Sequence, residues 1–445
     1  MTEVAETPIW WDDGAPGTRF PGGELRVDVA VVGGGFTGLS TALHVLRRQP
    51  GARVVVLEAE TLGFGASGRT TGMLGPGVGQ SVVALRRRLG PARARATYEA
   101  TLQAVRDVMA LVDSEAMDCE LEASGQLIVA RAPAERTRLA RSAEVLAELE
   151  APFEALDDAA LGGTLRMTTR RQGTAPGPAA LRLPVAGTLH PVKLVRELAA
   201  RVVARGGAVY EGARVLAIAE ETGATRLQLA GGRVTADRVV LATAGYTTGL
   251  EHLRGRVLPV RLQALATAPL AADQRAAIGW RGREGILDGR RLFAYARLTA
   301  DDRIVFGGGV PRYRGDEVVP SAWAHSDRAA QAALVRELHA TFAVPRPLVV
   351  ARAWSGTIAY TVDAMPSVGL TPGYTRTWHA TGWCGHGVAL ATAAGAWLAE
   401  LCMGGAPGAD LPWSRPAPPW VPTGLARWVG FHATIAAMAA RDRWA

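Results

Sequence analysis

A chain of 445 residues, 48% hydrophobic and 20% charged, is long enough for about three structural units with substantial cores, and its 52 glycines and 26 prolines stay short of low-complexity composition, which excludes disorder and collagen-like repeats. Three cysteines, Cys119, Cys384 and Cys402, exclude a disulfide framework, and the absence of a Cys/His cluster means that no metal is expected. The formal charge of +8 comes from 49 basic residues, all but Lys193 arginine, spread among acids, so neither nucleic acid nor a membrane is expected as a partner.

The leader carries Glu3, Glu6, Asp12 and Asp13 where an export signal needs a basic start and an apolar run, so a cytoplasmic protein is expected. Val27 to Val32 then reads as a buried strand stopped by glycines, Phe36 to Arg48 as a helix with Leu39, Ala42, Leu43 and Leu46 on one face, and Arg53 to Leu57 as a second strand. Together they form a right-handed βαβ unit of a parallel sheet. Ser81 to Glu150 reads as mostly helical with one strand at Gln126 to Ala130; its arginine run from Leu85 to Ala96 reads as a solvated helix face.

A Gly/Pro-rich crossing from Gly162 to Pro184 precedes a helix from Pro191 to Arg205. Arg214 to Arg238 alternates like a hairpin, and Val239 to Ala242 reads as a further buried strand. Val257 to Val310 is strand-like, with Arg290 to Arg297 and Arg303 to Gly307 as antiparallel candidates. Next come a helix from Ser326 to His339, a strand near Val349, a turn-rich passage from Ser355 to Pro372, a strand at Trp378 to Thr381 and a helix after Gly387. The apolar stretch Val388 to Leu398 falls short of the ~20 residues that cross a bilayer.

Gly33-Gly34-Gly35-Phe36-Thr37-Gly38 is a G-x-G-x-x-G between strand and helix. Gly33 allows the tight turn, Gly35 the approach of a pyrophosphate, and Gly38 close helix packing; Phe36 and Thr37 open the helix whose N–H groups face the phosphates. Glu58, at the end of the second strand and followed by Ala59, is placed to accept hydrogen bonds from an adenosine ribose. Thr61 to Gly72, rich in glycine and small hydroxyl residues, suits a loop wrapped around a large cofactor.

At these residues the chain resembles the FAD-dependent amine and amino-acid oxidases of the D-amino-acid-oxidase type, closest to the γ-glutamylputrescine oxidase-like and the glycine and sarcosine oxidase branches. The resemblance rests on VAVVGGGFTGLSTALH, LEAETLGFGASGR, GTLHPVKLVREL, LATAGY and WSGTIAYTVDAMPSVG followed by TGWCGHGVALATAAG, spread over essentially the whole chain. It implies an α/β fold: a glutathione-reductase-like, Rossmann-type FAD domain interleaved with a substrate domain built on a largely antiparallel sheet. The implied division is 1–80, 186–250 and 353–405 for the FAD domain, 81–185 and 251–352 for the substrate domain, and 406–445 for a tail packed on the body.

The same resemblance implies that Val215 lies near the adenine and that Thr243, Ala244 and Gly245 line the dinucleotide. It places Ala66, Ser67, Gly68, Arg69, Thr71, Gly72, Met73 and Leu74 along the flavin, with Gly385, His386, Gly387 and Val388 starting a helix beside the ring. His386 and Tyr295 are candidates for contact with substrate, each with a purely structural alternative. Arg297 is a candidate carboxylate ligand or a structural arginine, and Trp383, with Trp354, a candidate aromatic box or core.

The implied activity is oxidation of a primary or secondary amine to an imine with non-covalent FAD and oxygen or another electron acceptor. An amino-acid oxidase or dehydrogenase, a natural-product tailoring oxidase and a non-catalytic flavoprotein subunit stand as alternatives, and the oligomeric state is open. The chain departs from the sarcosine oxidase pattern in having Val305 and Ala389 where that group carries functional lysines, Cys384 where a serine is expected, and Arg69-Thr70-Thr71-Gly72 where asparagine often follows the arginine.

Overall fold

The computed structural model describes residues 6–11, 17–170, 175–250, 253–315, 327–405 and 411–443. Its first sheet is built around the strand Gly23–Val32, whose C-terminal half pairs in parallel with Val54–Leu57 on one side and Gly232–Leu241 on the other. Both faces of these strands are covered, which is why they read as unbroken β-branched runs. The helix Phe36–Arg48 buries Leu39, Ala42, Leu43 and Leu46 between them and the helix Gly387–Cys402. Ser40 Oγ donates to the Thr392 carbonyl at 2.7 Å where those two helices meet.

Across this sheet the order is Ser367–Leu370, Thr377–Thr381, Gly232–Leu241, Gly23–Val32, Val54–Leu57 and Ala208–Tyr210, with only the first strand antiparallel to its neighbour. The chain leaves Gly23–Val32 toward one edge and later returns on its other side. Strand order therefore reverses there, and the crevice at the carboxyl ends of these strands is where an open α/β sheet binds ligands. Ala242 N–H donates to the Val32 carbonyl at 2.9 Å, so the segments that follow the two strands emerge side by side.

The second sheet runs Val350–Tyr360, Leu258–Thr267, Ile304–Arg312, Tyr295–Leu298, Gly285–Asp288, Gln126–Val129, Ala180–Leu183 and Glu154–Leu156, all antiparallel except Gly285–Asp288 with Gln126–Val129. One face packs with Leu334 and Leu338 of the helix Arg328–Thr341. The other presents Ala264, Ala266, Val305 and Trp354 toward Trp10 and Val192.

Two indoles fix the loop between the sheets. Trp10 Nε1 donates to the Thr70 carbonyl at 2.8 Å, and Trp354 Nε1 to the Arg69 carbonyl at 2.9 Å. Both rings are buried, so neither carbonyl has water as an alternative partner.

Several sequence expectations change. The passage from Ser355 to Pro372 is not mainly turns: the strand Val350–Tyr360 runs through its first third, and Ser367–Leu370 forms the edge of the first sheet. The expected division at 352/353 falls inside Val350–Tyr360, which stays paired with Leu258–Thr267 up to Tyr360. The crossing from Gly162 to Pro184 contains the strand Ala180–Leu183, and the strand-like stretch after Val257 contains the helix Ala272–Ile278. The last third of the expected hairpin and the following strand are one element, Gly232–Leu241, antiparallel to Ala224–Leu229 at its start and parallel to Gly23–Val32 along its length. Within the arginine run, Arg86, Arg88 and Arg95 pair with Glu148, Asp363 and Glu150. Lys193 pairs with Asp118 and Glu120. Ser326, the expected start of a helix, Glu3, Asp12 and Asp13 of the leader, and 406–410 and 444–445 of the tail lie outside the described residues.

Replacing Trp354 by Phe keeps most of the apolar contact but leaves the Arg69 carbonyl without its donor. The expected loss is about 1–3 kcal/mol of stability, read as a lower urea midpoint with unchanged slope.

Candidate active site

The crevice begins at the glycine motif. Gly33 adopts φ +112°, and a methyl group there would come within 2.7 Å of the Ala242 carbonyl oxygen. A methyl on Gly38 would collide with the Gly33 carbonyl, so only glycine lets the helix start this close to the strand. Gly35 is the N-cap and offers no side-chain cap, while Phe36 N–H donates to Ser67 Oγ at 3.0 Å. Thr37 and Gly38 follow in the first turn, where N–H groups have no intrahelical acceptor and the helix dipole favours an anion.

Glu58 closes the other side, with Ala59 after it. One carboxylate oxygen accepts from Gly34 N–H at 2.7 Å and the other from Glu60 N–H at 2.9 Å. Burial pushes its carboxyl up, while the backbone N–H groups of Glu60 and Gly34 oppose that shift. Each oxygen keeps a lone pair, as a ribose diol requires. Val215 is buried with Leu57 and Val32 in the apolar cluster at this end. Thr243 bonds Thr247 through their hydroxyls at 2.8 Å, Ala244 has φ +46°, and Gly245 packs against Ile358.

The loop expected along the flavin starts with the 3-10 turn Ala66–Gly68. Arg69 differs from expectation in its side chain: its Nε donates to the Phe64 carbonyl at 2.7 Å and its Nη1 to the Ser355 carbonyl at 3.0 Å. The guanidinium lies 4.7 Å from the Trp11 ring centroid and 4.9 Å from that of Phe64. It thus ties the loop to the second sheet. Thr71 is buried, and Gly72 accepts from Leu189 N–H at 2.8 Å. Met73–Leu74 pairs with Gly187–Thr188.

From Gly72 to Gly79 the chain forms a strap between the sheets. Gly72 lies against Arg297, and a methyl on Gly285 would meet Met73 at 2.7 Å. Gly75 touches Gln126, and a methyl on Gly77 would come 3.2 Å from His386 Nε2. Gly79 packs on Cys384, and Tyr360 donates its hydroxyl to the Gly79 carbonyl at 3.2 Å. The strap thereby connects the inner face of the second sheet with the start of the helix Gly387–Cys402.

On that inner face Tyr295 and Arg297 point the same way. The Tyr295 ring occupies the space over Gly307, and burial pushes its phenol up to about 12. Arg297 donates Nη1 to the Leu189 carbonyl and Nε to the Leu298 carbonyl at 3.1 Å, with its guanidinium 5.4 Å from the Trp10 ring centroid. Burial lowers its pKa to about 10, opposed by Glu122 and Glu120, so it remains charged at neutral pH. These bonds hold the guanidinium against the backbone on the inner face, where the sequence placed a candidate carboxylate ligand or structural arginine. Trp383 is buried in the main core and Trp354 in a separate cluster, where its indole N–H holds the loop.

His386 is the N-cap of Gly387–Cys402 and gives no side-chain cap; Gly385 before it has φ +94°, and Val388 after it is buried. Nδ1 of His386 is buried without a hydrogen-bond partner among the described residues. Burial pulls the imidazole down to about 4, with the Cys384 backbone opposing. An uncapped helix start, an orphaned buried nitrogen and a glycine cradle at a second uncapped helix start fit a large bound dinucleotide. Sequence reasoning missed Gln126, Phe64, Tyr246 and Tyr360. Tyr246 ended a motif that was already visible, whereas the others are brought in by the strap and clamp.

This geometry defines a two-sheet flavoprotein oxidoreductase. The family model described as DAO, FAD dependent oxidoreductase, matches residues 28–401, and the chain belongs to this family. It is 31% identical over 385 residues to gamma-glutamylputrescine oxidoreductase of Escherichia coli (strain K12), covering 86% of this chain and 85% of that protein. It is 30% identical over 392 residues to the probable oxidoreductase OrdL of Rhizobium meliloti (strain 1021), covering 87% and 86% respectively. In fold it is similar to glycine oxidase from Geobacillus kaustophilus, with a TM-score of 0.71 at 21% identity over 88% of this chain and 98% of that one. The protein is an FAD-dependent oxidoreductase acting on CH–NH or CH–NH2 groups. Among the described residues no helix is long and apolar enough to cross a membrane, and no group of His, Cys, Asp or Glu is arranged to hold a metal.

His44, His379 and His386 are all held at about 4, chiefly by burial. The unfolded chain takes up these protons near pH 6.5, so it binds more protons than the native state between about pH 6.5 and 4. Stability therefore falls as pH falls through that window, by up to about 1.4 kcal/mol per pH unit for each histidine. Urea titrations from about pH 7 to pH 5 should show the decline, and His379→Asn should make it shallower.

Proposed function

We propose that the protein oxidises a primary or secondary amine to an imine, and that the substrate meets a neutral surface formed by Tyr295, Met73, Gln126 and His386. The observation that carries this reading is the engagement of the guanidinium groups of Arg297, on the inner sheet face, and Arg69, in the loop. Arg297 is bound to the carbonyls of Leu189 and Leu298, and Arg69 to those of Phe64 and Ser355. These bonds fix both guanidinium groups on backbone carbonyls and take up part of each donor fork, which weighs against their serving as the clamp for the carboxylate of an α-amino acid. The two lysine positions of the sarcosine oxidase pattern, Val305 and Ala389, are buried and apolar.

FAD, which the glycine motif, Glu58 and the loop 66–74 would hold, would supply the two-electron acceptor for hydride leaving the substrate α-carbon. The protein's part is to bind, orient and exclude water. Neutral His386 offers Nδ1 as an acceptor that orients the substrate N–H, while desolvation in the buried site favours the free amine over the ammonium. The uncapped start of Gly387–Cys402 favours negative charge that accumulates beside it during reduction. Tyr295 walls the site. Imine hydrolysis in water and reoxidation by oxygen, giving hydrogen peroxide, complete the proposed cycle.

FAD is held non-covalently in this reading. Cys384, the cysteine beside the site, donates its thiol to the Gly382 carbonyl at 3.1 Å, and burial pushes it up to about 11. The proposed FAD domain comprises 1–80, 186–250 and 361–405, with its last boundary after Tyr360, and the proposed tail begins at 406. The protein is proposed to be cytoplasmic.

Anaerobic addition of putrescine, γ-glutamylputrescine and amino acids to FAD-loaded protein tests this directly. Bleaching of the flavin bands by an amine, with peroxide formed on admitting air, is the expected result; bleaching by amino acids alone would overturn the neutral-site reading. His386→Leu should retain FAD and lower the reduction rate about 10–100-fold, the range of a lost positioning hydrogen bond in a buried site.

A further inference from the structure

The final helix, Leu425–Arg443, lies outside the 28–401 span that the family model matches. Phe431, Ile435, Met438 and Asp442 follow one another at spacings of four, three and four residues, so they share one helix face. Both ends of that face are anchored. The Phe431 ring centroid is 5.4 Å from that of Tyr313, just beyond the strand Ile304–Arg312. Asp442 accepts from Arg291 N–H at 3.0 Å and Leu292 N–H at 2.9 Å, just before the strand Tyr295–Leu298. These strands are antiparallel neighbours with Tyr295 opposite Gly307, so the helix bridges one end of the sheet over about 16 Å.

Between the anchors, Ile435 and Met438 are half-buried, yet neither packs on any buried core among the described residues. The same sheet end carries Phe293 and Val310, exposed by 39% and 46%. Phe293, just before the strand that begins at Tyr295, has its ring centroid 6.1 Å from that of Tyr295. Half-buried apolar groups on the helix and exposed ones on the sheet end thus lie beside the residue that walls the reaction site.

We propose that the C-terminal helix completes the substrate site: the amine's reacting end lies at Tyr295, and an apolar tail extends outward between Phe293 and Val310 on one side and Ile435 and Met438 on the other. This deepens and rests on the amine-oxidising reading. It makes Ile435 and Met438 specificity-determining residues that select amines with a long or bulky hydrocarbon substituent.

The test uses FAD-loaded full-length protein with n-propylamine and n-octylamine as probes. Apparent affinity in anaerobic flavin reduction should be tighter for octylamine by roughly fourfold per methylene buried. In hydrogen exchange, octylamine but not propylamine should protect the amides of 289–294 and 430–442. The double variant Ile435→Ser/Met438→Ser should lose both differences while keeping its thermal midpoint and FAD content; Leu425→Ser/Val429→Ser, at exposed positions, should keep them. Equal affinity without selective protection would overturn the proposal while leaving amine oxidation standing. Selective protection that the double variant abolishes, without flavin reduction by either amine, would support the tail site and count against the reaction.

Discussion

The structure depends on two indole N–H groups that grip consecutive carbonyls. Trp10 and Trp354 hold Thr70 and Arg69 from opposite ends of the sequence, and the loop they hold leads into the strap that reaches His386. Arg69 adds a third tie through Phe64 and Ser355. A loop of glycine and small residues has little intrinsic order, since its side chains bury almost nothing. Its conformation is imposed from outside, by donors whose own burial leaves them no better partner. The cofactor-facing backbone can therefore be both glycine-rich and fixed.

This arrangement separates two uses of arginine. Many of the described arginines pair with acids at the surface, where each pair adds little to stability. Arg69 and Arg297 are buried and bound to carbonyls, so part of each donor fork holds the backbone in place. Protein interiors tolerate such a cation when its N–H groups are satisfied and aromatic faces lie beside it, as the rings of Trp10, Trp11 and Phe64 do.

The dinucleotide half of the site was legible because its signals are local. A strand, a G-x-G-x-x-G and an acid at the end of the next strand need only short-range geometry, and the helix Phe36–Arg48 begins and ends where its glycine and proline signals put it. The substrate half was less legible. Tyr295 was identified on its strand, but whether Arg297 is free or bound depends on Leu189, a residue 108 positions away. The strand Val350–Tyr360 was read as partly turns because Gly356 and the small residues around it lower its β propensity; pairing with Leu258–Thr267 decides the matter. The anchored final helix likewise depends on Tyr313 and Leu292, which periodicity within the tail does not identify.

The clamp also carries a consequence for biosynthesis. Trp354 lies 285 residues after the carbonyl it holds, so the loop cannot reach its final form until most of the polypeptide has left the ribosome. At about 5–20 residues per second, the N-terminal glycine motif waits tens of seconds beside an unfinished partner. The nascent βαβ unit can fold early, but tight retention of the flavin belongs to the last stage of synthesis. Premature termination before Trp354 would release a chain that has the nucleotide fingerprint and lacks the means to keep the cofactor in place.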